Sequence, residues 1–185
     1  IQPQVYQMLQ NSIQKNRVAH AYIFEGERGT GKKEASILLA KSLYCEQTDI
    51  HKRPCNQCTN CKRISSGNHP DVHMIEPDGL SIKKEQIQFL QEEFTKKGVE
   101  SNRKVYIIDQ AEKMTVQAAN SLLKFLEEPL SDTTAILISD QTQKILPTII
   151  SRCQMITFKH LSADVLQKRL EEQGVDPQTA AIVSQ

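Results

Sequence analysis

The chain has 185 residues, 23 basic and 22 acidic side chains and a formal net charge of +1 at pH 7. This length suffices for one large α/β domain and the start of a second, and the balanced charge excludes a global field that would attract nucleic acid. The sequence has no Trp and no apolar run long enough for a transmembrane helix or a secretory signal. It begins at Ile1 and ends in a helical pattern, so we expect a portion of a longer protein.

Apolar runs alternate with amphipathic segments along the chain. Short apolar runs predict five strands, at Ala21–Phe24, Asp71–Glu76, Val105–Ile108, Ala135–Ser139 and Met155–Phe158. Helical spacing predicts helices over residues 1–18 and 32–45, a short piece toward Ser66, one from Ser81 as N-cap to Gly98, and one from Thr115 to Pro129.

Strands that alternate with helices predict a parallel sheet covered on both faces. We therefore expect residues 1–160 to form one α/β domain with a five-stranded parallel sheet. A new helical pattern begins at Ser162, and residues 161–185 are predicted to be the truncated beginning of a small helical domain.

A glycine-rich loop follows the first predicted strand and leads into a helix, as the phosphate-binding pattern G-x-x-x-x-G-K-S/T requires. Its candidate nucleotide-binding residues are Gly26, Gly29, Thr30, Gly31, Lys32 and Lys33. Backbone N–H groups of such a loop and the helix N-terminus bind phosphate oxygens. Lys33 departs from the pattern, because it replaces the hydroxyl that holds Mg²⁺. The alternative is a glycine-rich turn that happens to precede a lysine, which the strand–loop–helix context disfavours.

Asp109, at the end of the third strand, is the candidate for the carboxylate that supports Mg²⁺ in P-loop proteins. The alternative is an ordinary turn residue at a strand end. Gln110 follows it, where a glutamate often polarises the attacking water. Because Lys33 and Gln110 weaken the same chemistry, we expect bound ATP or ADP with weakened Mg²⁺ coordination and little or no hydrolysis.

Four of the five cysteines cluster at Cys45, Cys55, Cys58 and Cys61. Two overlapping C-x-x-C steps with a fourth cysteine at a helix end fit a tetrahedral Zn²⁺ site. A closed four-cysteine shell leaves no open coordination position, so the predicted role is structural. The alternative is a set of free thiols on a surface loop. Cys153 stands apart and is predicted to be a small buried residue.

Ser151-Arg152-Cys153 follows the loop after the fourth strand. An arginine at a domain edge could reach a neighbouring subunit's nucleotide and stabilise charge on the γ-phosphate. From chemistry alone, a surface arginine in a salt bridge is the favoured alternative. Ser139-Asp140, at the end of the fourth strand, could sense a phosphate or simply cap the strand.

Four segments together resemble the clamp-loader branch of the AAA+ ATPases, as found in bacterial DNA polymerase III. They are Ala19–Phe24 with Gly26, the cysteine cluster, Ala119–Pro129 and Ser151-Arg152-Cys153. The resemblance covers about residues 17–160. It implies a RecA-like P-loop domain, a three-helix lid that starts after His160 and, in a full-length subunit, a collar domain.

The resemblance also implies partners and roles. It implies a hetero-pentamer with gamma/tau motor subunits and delta, which loads the sliding clamp onto primer–template DNA in the bacterial cytoplasm, at the replisome. It assigns Arg152 as an arginine finger that acts in trans, within a DNA-directed DNA polymerase holoenzyme. The family's motor subunits carry Lys-Thr and Asp-Glu where this chain has Lys32-Lys33 and Asp109-Gln110, so a non-hydrolysing subunit is favoured over an ATP-hydrolysing motor.

A different class of function, a zinc-knuckle nucleic-acid-binding module, ranks last. Such a module needs basic and aromatic residues interleaved around the cysteines. Lys52, Arg53, Lys62 and Arg63 supply charge, but no aromatic residue lies between Glu46 and Arg63.

Overall fold

The computed structural model describes residues 2–95, 101–128 and 132–160. Within these residues, one five-stranded sheet is formed in the order β2-β3-β4-β1-β5, and every neighbouring pair is parallel. The strands are β1 (Ala21–Glu25), β2 (Val72–Ile75), β3 (Lys104–Ile108), β4 (Thr133–Ser139) and β5 (Gln154–Thr157). The predicted five-stranded parallel sheet is therefore confirmed. The predicted helix ends at Gly98 and Pro129, and the lid residues 161–185, lie outside the described residues.

Helices cover both faces of the sheet. Their bounds are α1 (Pro3–Gln14), α2 (Lys32–Tyr44), α3 (Thr59–Ser65), α4 (Lys84–Thr95), α5 (Val116–Glu127) and α6 (Pro147–Ile150). One apolar cluster joins the sheet to α1, α2 and α3, and a second joins it to α4, α5 and α6. No helix in the described ranges has the length and apolarity needed to cross a bilayer.

The interior strand β1 shows how the alternation of side chains along a strand divides the core between these two layers. Tyr22 and Phe24 belong to the cluster beneath α1–α3, whereas Ala21 and Ile23 belong to the cluster beneath α4–α6. All four are at most 1% exposed. Because successive strand residues point to opposite faces, a strand buried on both sides must be apolar throughout, as β1 is up to Phe24.

One predicted helix start is wrong and another is right. Ser81 was expected to be the N-cap of α4, but Ile82 is held in an extended bridge to Met114 and the helix begins at Lys84. There the side chain of Gln86 accepts a hydrogen bond from the backbone N–H of Lys83 at 2.9 Å, which is the bond that the third helical residue makes in a capping box. Thr115 does cap α5, since its hydroxyl oxygen accepts from the N–H of Ala118.

The backbone that leaves β1 passes very close to the residues that follow β5. The N–H of Phe158 donates to the carbonyl of Glu25 at 2.7 Å, which extends the pairing of these two strands by one step. The next residue, Gly26, has φ of 143°, and a Cβ placed on it would lie 2.3 Å from the carbonyl oxygen of Phe158. Only glycine fits here, because both the backbone angle and the space exclude a side chain.

We predict that Gly26→Ala destabilises the protein by more than the roughly 1–3 kcal/mol of backbone strain alone, because the clash with Phe158 adds to it. Gly67→Ala is the matched control, since Gly67 has φ of 73° but no heavy atom within 4 Å of the added Cβ. Urea unfolding of both variants checks this. Equal losses in the two variants would contradict the steric argument.

Candidate functional site

The carboxyl ends of the parallel strands open onto a cavity of about 640 Å³. Ligands of open parallel sheets bind at this edge. The cavity is lined by the glycine-rich loop, by the start of α2 and by residues after β3 and β4, which include Arg28, Lys32, Lys33, Asp109, Gln110, Glu112, Ser139 and Asp140. The structure therefore brings together Gly29, Gly31, Lys32 and Lys33 of the predicted loop residues with Asp109 and the Ser139-Asp140 pair, whereas Gly26 and Thr30 do not line this cavity.

The loop is shaped by two glycines in left-handed conformation and by an internal lysine. Gly29 and Gly31 have φ of 76° and 86°, and Gly31 is the N-cap of α2. The buried ammonium of Lys32 donates to the carbonyl oxygens of Gly26 and Glu27, each at 2.6 Å. Burial lowers the pKa of Lys32, and nearby carboxylates oppose that change. The loop thus encloses a positive charge at the place where P-loops cradle phosphate.

Thr30 fixes the same turn from within. Its hydroxyl donates to the carbonyl oxygen of Glu27 at 2.8 Å, and its oxygen lies 3.4 Å from the Lys32 Nζ. The side chain is buried, so it shapes the loop rather than offering its hydroxyl to solvent.

Lys33 forms an ion-pair network that spans three elements. Its Nζ lies 3.2 Å from Oδ2 of Asp109, which follows β3, and it also bonds Glu76, which follows β2. The hydrogen bond with Glu76, reinforced by the one with Asp109, raises the pKa of Lys33. The side chain is therefore a fixed cation that ties the start of α2 to two strand ends.

The residues around Lys33 do not fit a magnesium ion. A P-loop magnesium needs a hydroxyl oxygen from this position and a carboxylate oxygen from the strand. Lys33 has no oxygen to offer, and its ammonium already holds the Asp109 carboxylate. An ammonium group also repels a divalent cation at this distance.

Glu76 and Glu112 were missed by sequence reasoning. Glu112 lines the cavity, where it accepts a hydrogen bond from Ser139 Oγ at 2.7 Å. Burial raises the pKa of Glu112, and the Ser139 hydroxyl opposes the change. Asp140 forms an ion pair with Arg28 at 3.3 Å. The sequence held one indication of these two residues: Glu76 ends a predicted strand, as Asp109 follows one, and could therefore be expected at the same edge of the sheet.

The four clustered cysteines converge as their spacing predicts. Their Sγ atoms all lie within 4.8 Å of one another, and Cys45 and Cys61 are buried. Four thiolates around an ion with metal–sulfur bonds of about 2.3 Å would lie about 3.8 Å apart, so the geometry fits a tetrahedral metal ion. The cluster could therefore hold a metal ion.

Backbone N–H groups point at three of these sulfur atoms, where they would stabilise the negative charge of a thiolate. The N–H of Cys55 points to Cys45 Sγ at 3.3 Å, that of Cys58 to Cys55 Sγ at 3.3 Å, and that of Cys61 to Cys58 Sγ at 3.4 Å. N–H groups from Gln57 and Cys58 lower the pKa of Cys55 to about 6, whereas burial raises that of Cys61 to about 12. Asn60 anchors the loop by donating to the carbonyl of Tyr44 at the end of α2.

Arg152 lies after α6, and its guanidinium is held from two sides. One nitrogen donates to the carbonyl oxygen of Thr148 at 2.9 Å, and the other lies 2.6 Å from a carboxylate oxygen of Glu127, the last residue of α5. The side chain is 35% exposed. Among the described residues its recorded polar partners are Thr148 and Glu127, and none of them belongs to the phosphate loop. Cys153 is half-buried, and burial raises its pKa to about 12.

Comparison with known proteins places the chain in a family. Residues 1–162 match the sequence model of the family described as DNA polymerase III, delta subunit. The chain belongs to this family. It is 56% identical over 184 residues to DNA polymerase III subunit delta' of Bacillus subtilis (strain 168), which covers 100% of this chain and 55% of that protein. The chain therefore spans about half the length of this delta-subunit family relative.

More distant similarity links the delta-subunit family to the tau proteins. DNA polymerase III subunit tau of Bacillus subtilis (strain 168) is 37% identical over 172 residues, which covers 92% of this chain and 30% of tau. The crystal structure of a gamma subunit-related protein of DNA polymerase III from Thermotoga maritima matches with a TM-score of 0.65 at 23% identity, over 96% of this chain and 56% of that one. The match to delta', at higher identity than to tau, confirms the predicted resemblance to subunits of bacterial DNA polymerase III, and the structural match supports the predicted α/β fold.

We predict that the protein carries one metal ion per chain and that Cys55→Ser loses it, because serine is a poor ligand for a soft thiolate site. Cys153→Ser should keep the metal, since Cys153 lies outside the cluster. Elemental analysis of the purified variants, with thiol titration before and after chelation, checks both. Full metal occupancy in Cys55→Ser would contradict the assignment.

Proposed function

We propose that the chain is the P-loop domain of a clamp-loader subunit of bacterial DNA polymerase III, and that it works through assembly rather than through its own ATP hydrolysis. The observation that carries the second part is the Lys33 ammonium at 3.2 Å from Asp109. The first part is supported by 56% identity to a delta' subunit, against 37% to tau. An ATP-hydrolysing motor of the same loader would need the magnesium-binding hydroxyl that Lys33 replaces and the water-polarising carboxylate that Gln110 replaces.

The proposed assembly is a hetero-pentamer with gamma/tau motor subunits and delta in the bacterial cytoplasm. Motor subunits that hold ATP open the sliding clamp and grip primer–template DNA, and hydrolysis then lets the clamp close. The subunit proposed here forms one rigid side of the ATP site of the neighbouring subunit. Its rigidity is supported by the Lys32 and Lys33 contacts, which fix the phosphate loop to itself and to two strand ends.

Arg152 is the residue proposed to act on the neighbour's ATP. An arginine supplied in trans stabilises the charge that develops on the γ-phosphate, and its planar fork suits phosphate oxygens. The contacts with Thr148 and Glu127 limit the rotamers of the side chain before the partner arrives. Less conformational entropy then remains to be lost when the guanidinium meets the phosphate.

The metal proposed for the cysteine cluster is Zn²⁺ in a structural role. Four thiolates favour zinc among abundant divalent ions, and they leave no position for a reacting water. The ion would replace the apolar core that the loop between α2 and α3 lacks, as expected of a short cysteine-bearing excursion.

Arg152→Ala in a reconstituted loader should lower the DNA-stimulated ATPase rate roughly a thousandfold, because the neighbour loses its transition-state cation. Assembly should persist, since the exposed pair with Glu127 contributes at most about 1 kcal/mol. Arg152→Lys keeps the charge but not the planar fork, so an intermediate rate is expected.

Lys144→Ala is the control, because Lys144 is an exposed cation on the turn before α6. ATP turnover and gel filtration of each complex provide the measurements. An unchanged ATPase rate in an intact Arg152→Ala complex would exclude the finger.

A further inference from the structure

The cation at the Asp109 carboxylate is part of the protein. Lys33 Nζ lies 3.2 Å from Asp109 Oδ2 and also bonds Glu76, so the ammonium sits where a P-loop holds Mg²⁺ between its hydroxyl and its strand carboxylate. The side chain is 42% exposed, and it lines the 640 Å³ cavity together with Lys32. A positive charge therefore faces the space in which phosphates would lie.

The hydrogen-bonding capacity of Lys33 leaves room for a phosphate. An ammonium group has three N–H donors and no acceptor. Two donors are used by Glu76 and Asp109, and the third has no acceptor within the part of the chain that the structure describes. A phosphate oxygen in the cavity could accept it as a charge-assisted hydrogen bond.

The charge of the site supports the same role. Lys33 adds one positive charge where the P-loop pattern has a neutral hydroxyl, and Gln110 removes one negative charge where a motor has a carboxylate. Compared with that pattern, these two residues make the site more positive by two charges, while the carboxylates of Asp109, Glu112 and Asp140 still line the same cavity.

We propose that this loop binds the phosphates of a nucleoside di- or triphosphate without a divalent cation, with the Lys33 ammonium as the built-in counter-ion. Lys32 supplies the second cation from inside the loop, and Gly29 and Gly31 supply backbone N–H groups. The inference rests on the assignment of residues 26–33 as a phosphate site and is independent of the role of Arg152. A nucleotide held in this way has no metal to activate water, so it remains bound and unhydrolysed.

The test uses the full-length subunit that carries this chain and titrates it with ADP and ATP by calorimetry, in excess EDTA and in millimolar Mg²⁺, with thiol titration showing that the cysteine cluster is in the same state in both buffers. The unaltered protein should bind at least as tightly in EDTA as in Mg²⁺, because the site has no place for the ion and free Mg²⁺ competes with Lys33 for the phosphates. Lys33→Thr restores the hydroxyl and should weaken binding in EDTA about tenfold to a hundredfold, with Mg²⁺ recovering it.

Two further variants separate the contribution of Lys33 from other effects. Lys33→Met removes the charge without adding an oxygen ligand, so it should bind weakly in both buffers. Lys41→Thr, two turns later on the same helix and outside the cavity, should bind like the unaltered protein. Thermal unfolding of each variant verifies that it is folded.

Two results would overturn the proposal: binding by the unaltered protein that requires Mg²⁺, or no binding in either buffer. Neither would touch the proposed clamp-loader role, which is tested separately by Arg152→Ala in the assembled complex. Binding in EDTA that survives Lys33→Met would equally exclude Lys33 as the counter-ion.

Discussion

Parallel pairing of all five strands is the constraint from which the rest of this structure follows. Because the strands run in one direction, their carboxyl ends meet at one edge, and residues far apart in sequence become neighbours there. Glu76, Asp109 and Ser139 each follow or end a different strand, yet all lie near the start of α2. The tight passage of Gly26 beneath Phe158 then sets the direction in which the loop leaves β1.

The network of Lys33 with Glu76 and Asp109 shows how a single side chain can change the chemistry of such an edge while the fold is kept. A hydroxyl at this position would take part in binding a diffusible ion, whose occupancy depends on concentration and on the nucleotide. The ammonium is covalently attached, so a cation between α2 and the ends of β2 and β3 is present without any dependence on ion concentration. Such a fixed cation suits a subunit that provides an unchanging surface to its neighbours better than a subunit that changes with each round of ATP binding and hydrolysis.

Much of this architecture could be predicted from sequence because it rests on local patterns. Each strand appears in the sequence as an apolar run, and the loop appears as spaced glycines before Lys32. The cysteine cluster is recognisable from the spacing of its four cysteines. What was missed depends on long-range pairing. Ser81 fails as a cap because Ile82 pairs with Met114, and Glu76 lies beside Asp109, within reach of Lys33, because β2 and β3 are adjacent. Glu112 enters the cavity through a 3-10 turn whose direction no sequence period indicates.

The closeness of the four sulfur atoms also affects how the protein tolerates oxidants. Sulfur atoms within 4.8 Å of one another need only small movements to reach the 2.05 Å of a disulfide bond. Metal coordination keeps each thiolate occupied, whereas a chain that has lost its ion presents four thiols ready for oxidation. Because Asn60 and Cys45 join this loop to the end of α2, a wrong disulfide there would pull on the same helix whose other end carries Lys32 and Lys33. The cysteine cluster and the phosphate loop thus lie at opposite ends of one helix, α2.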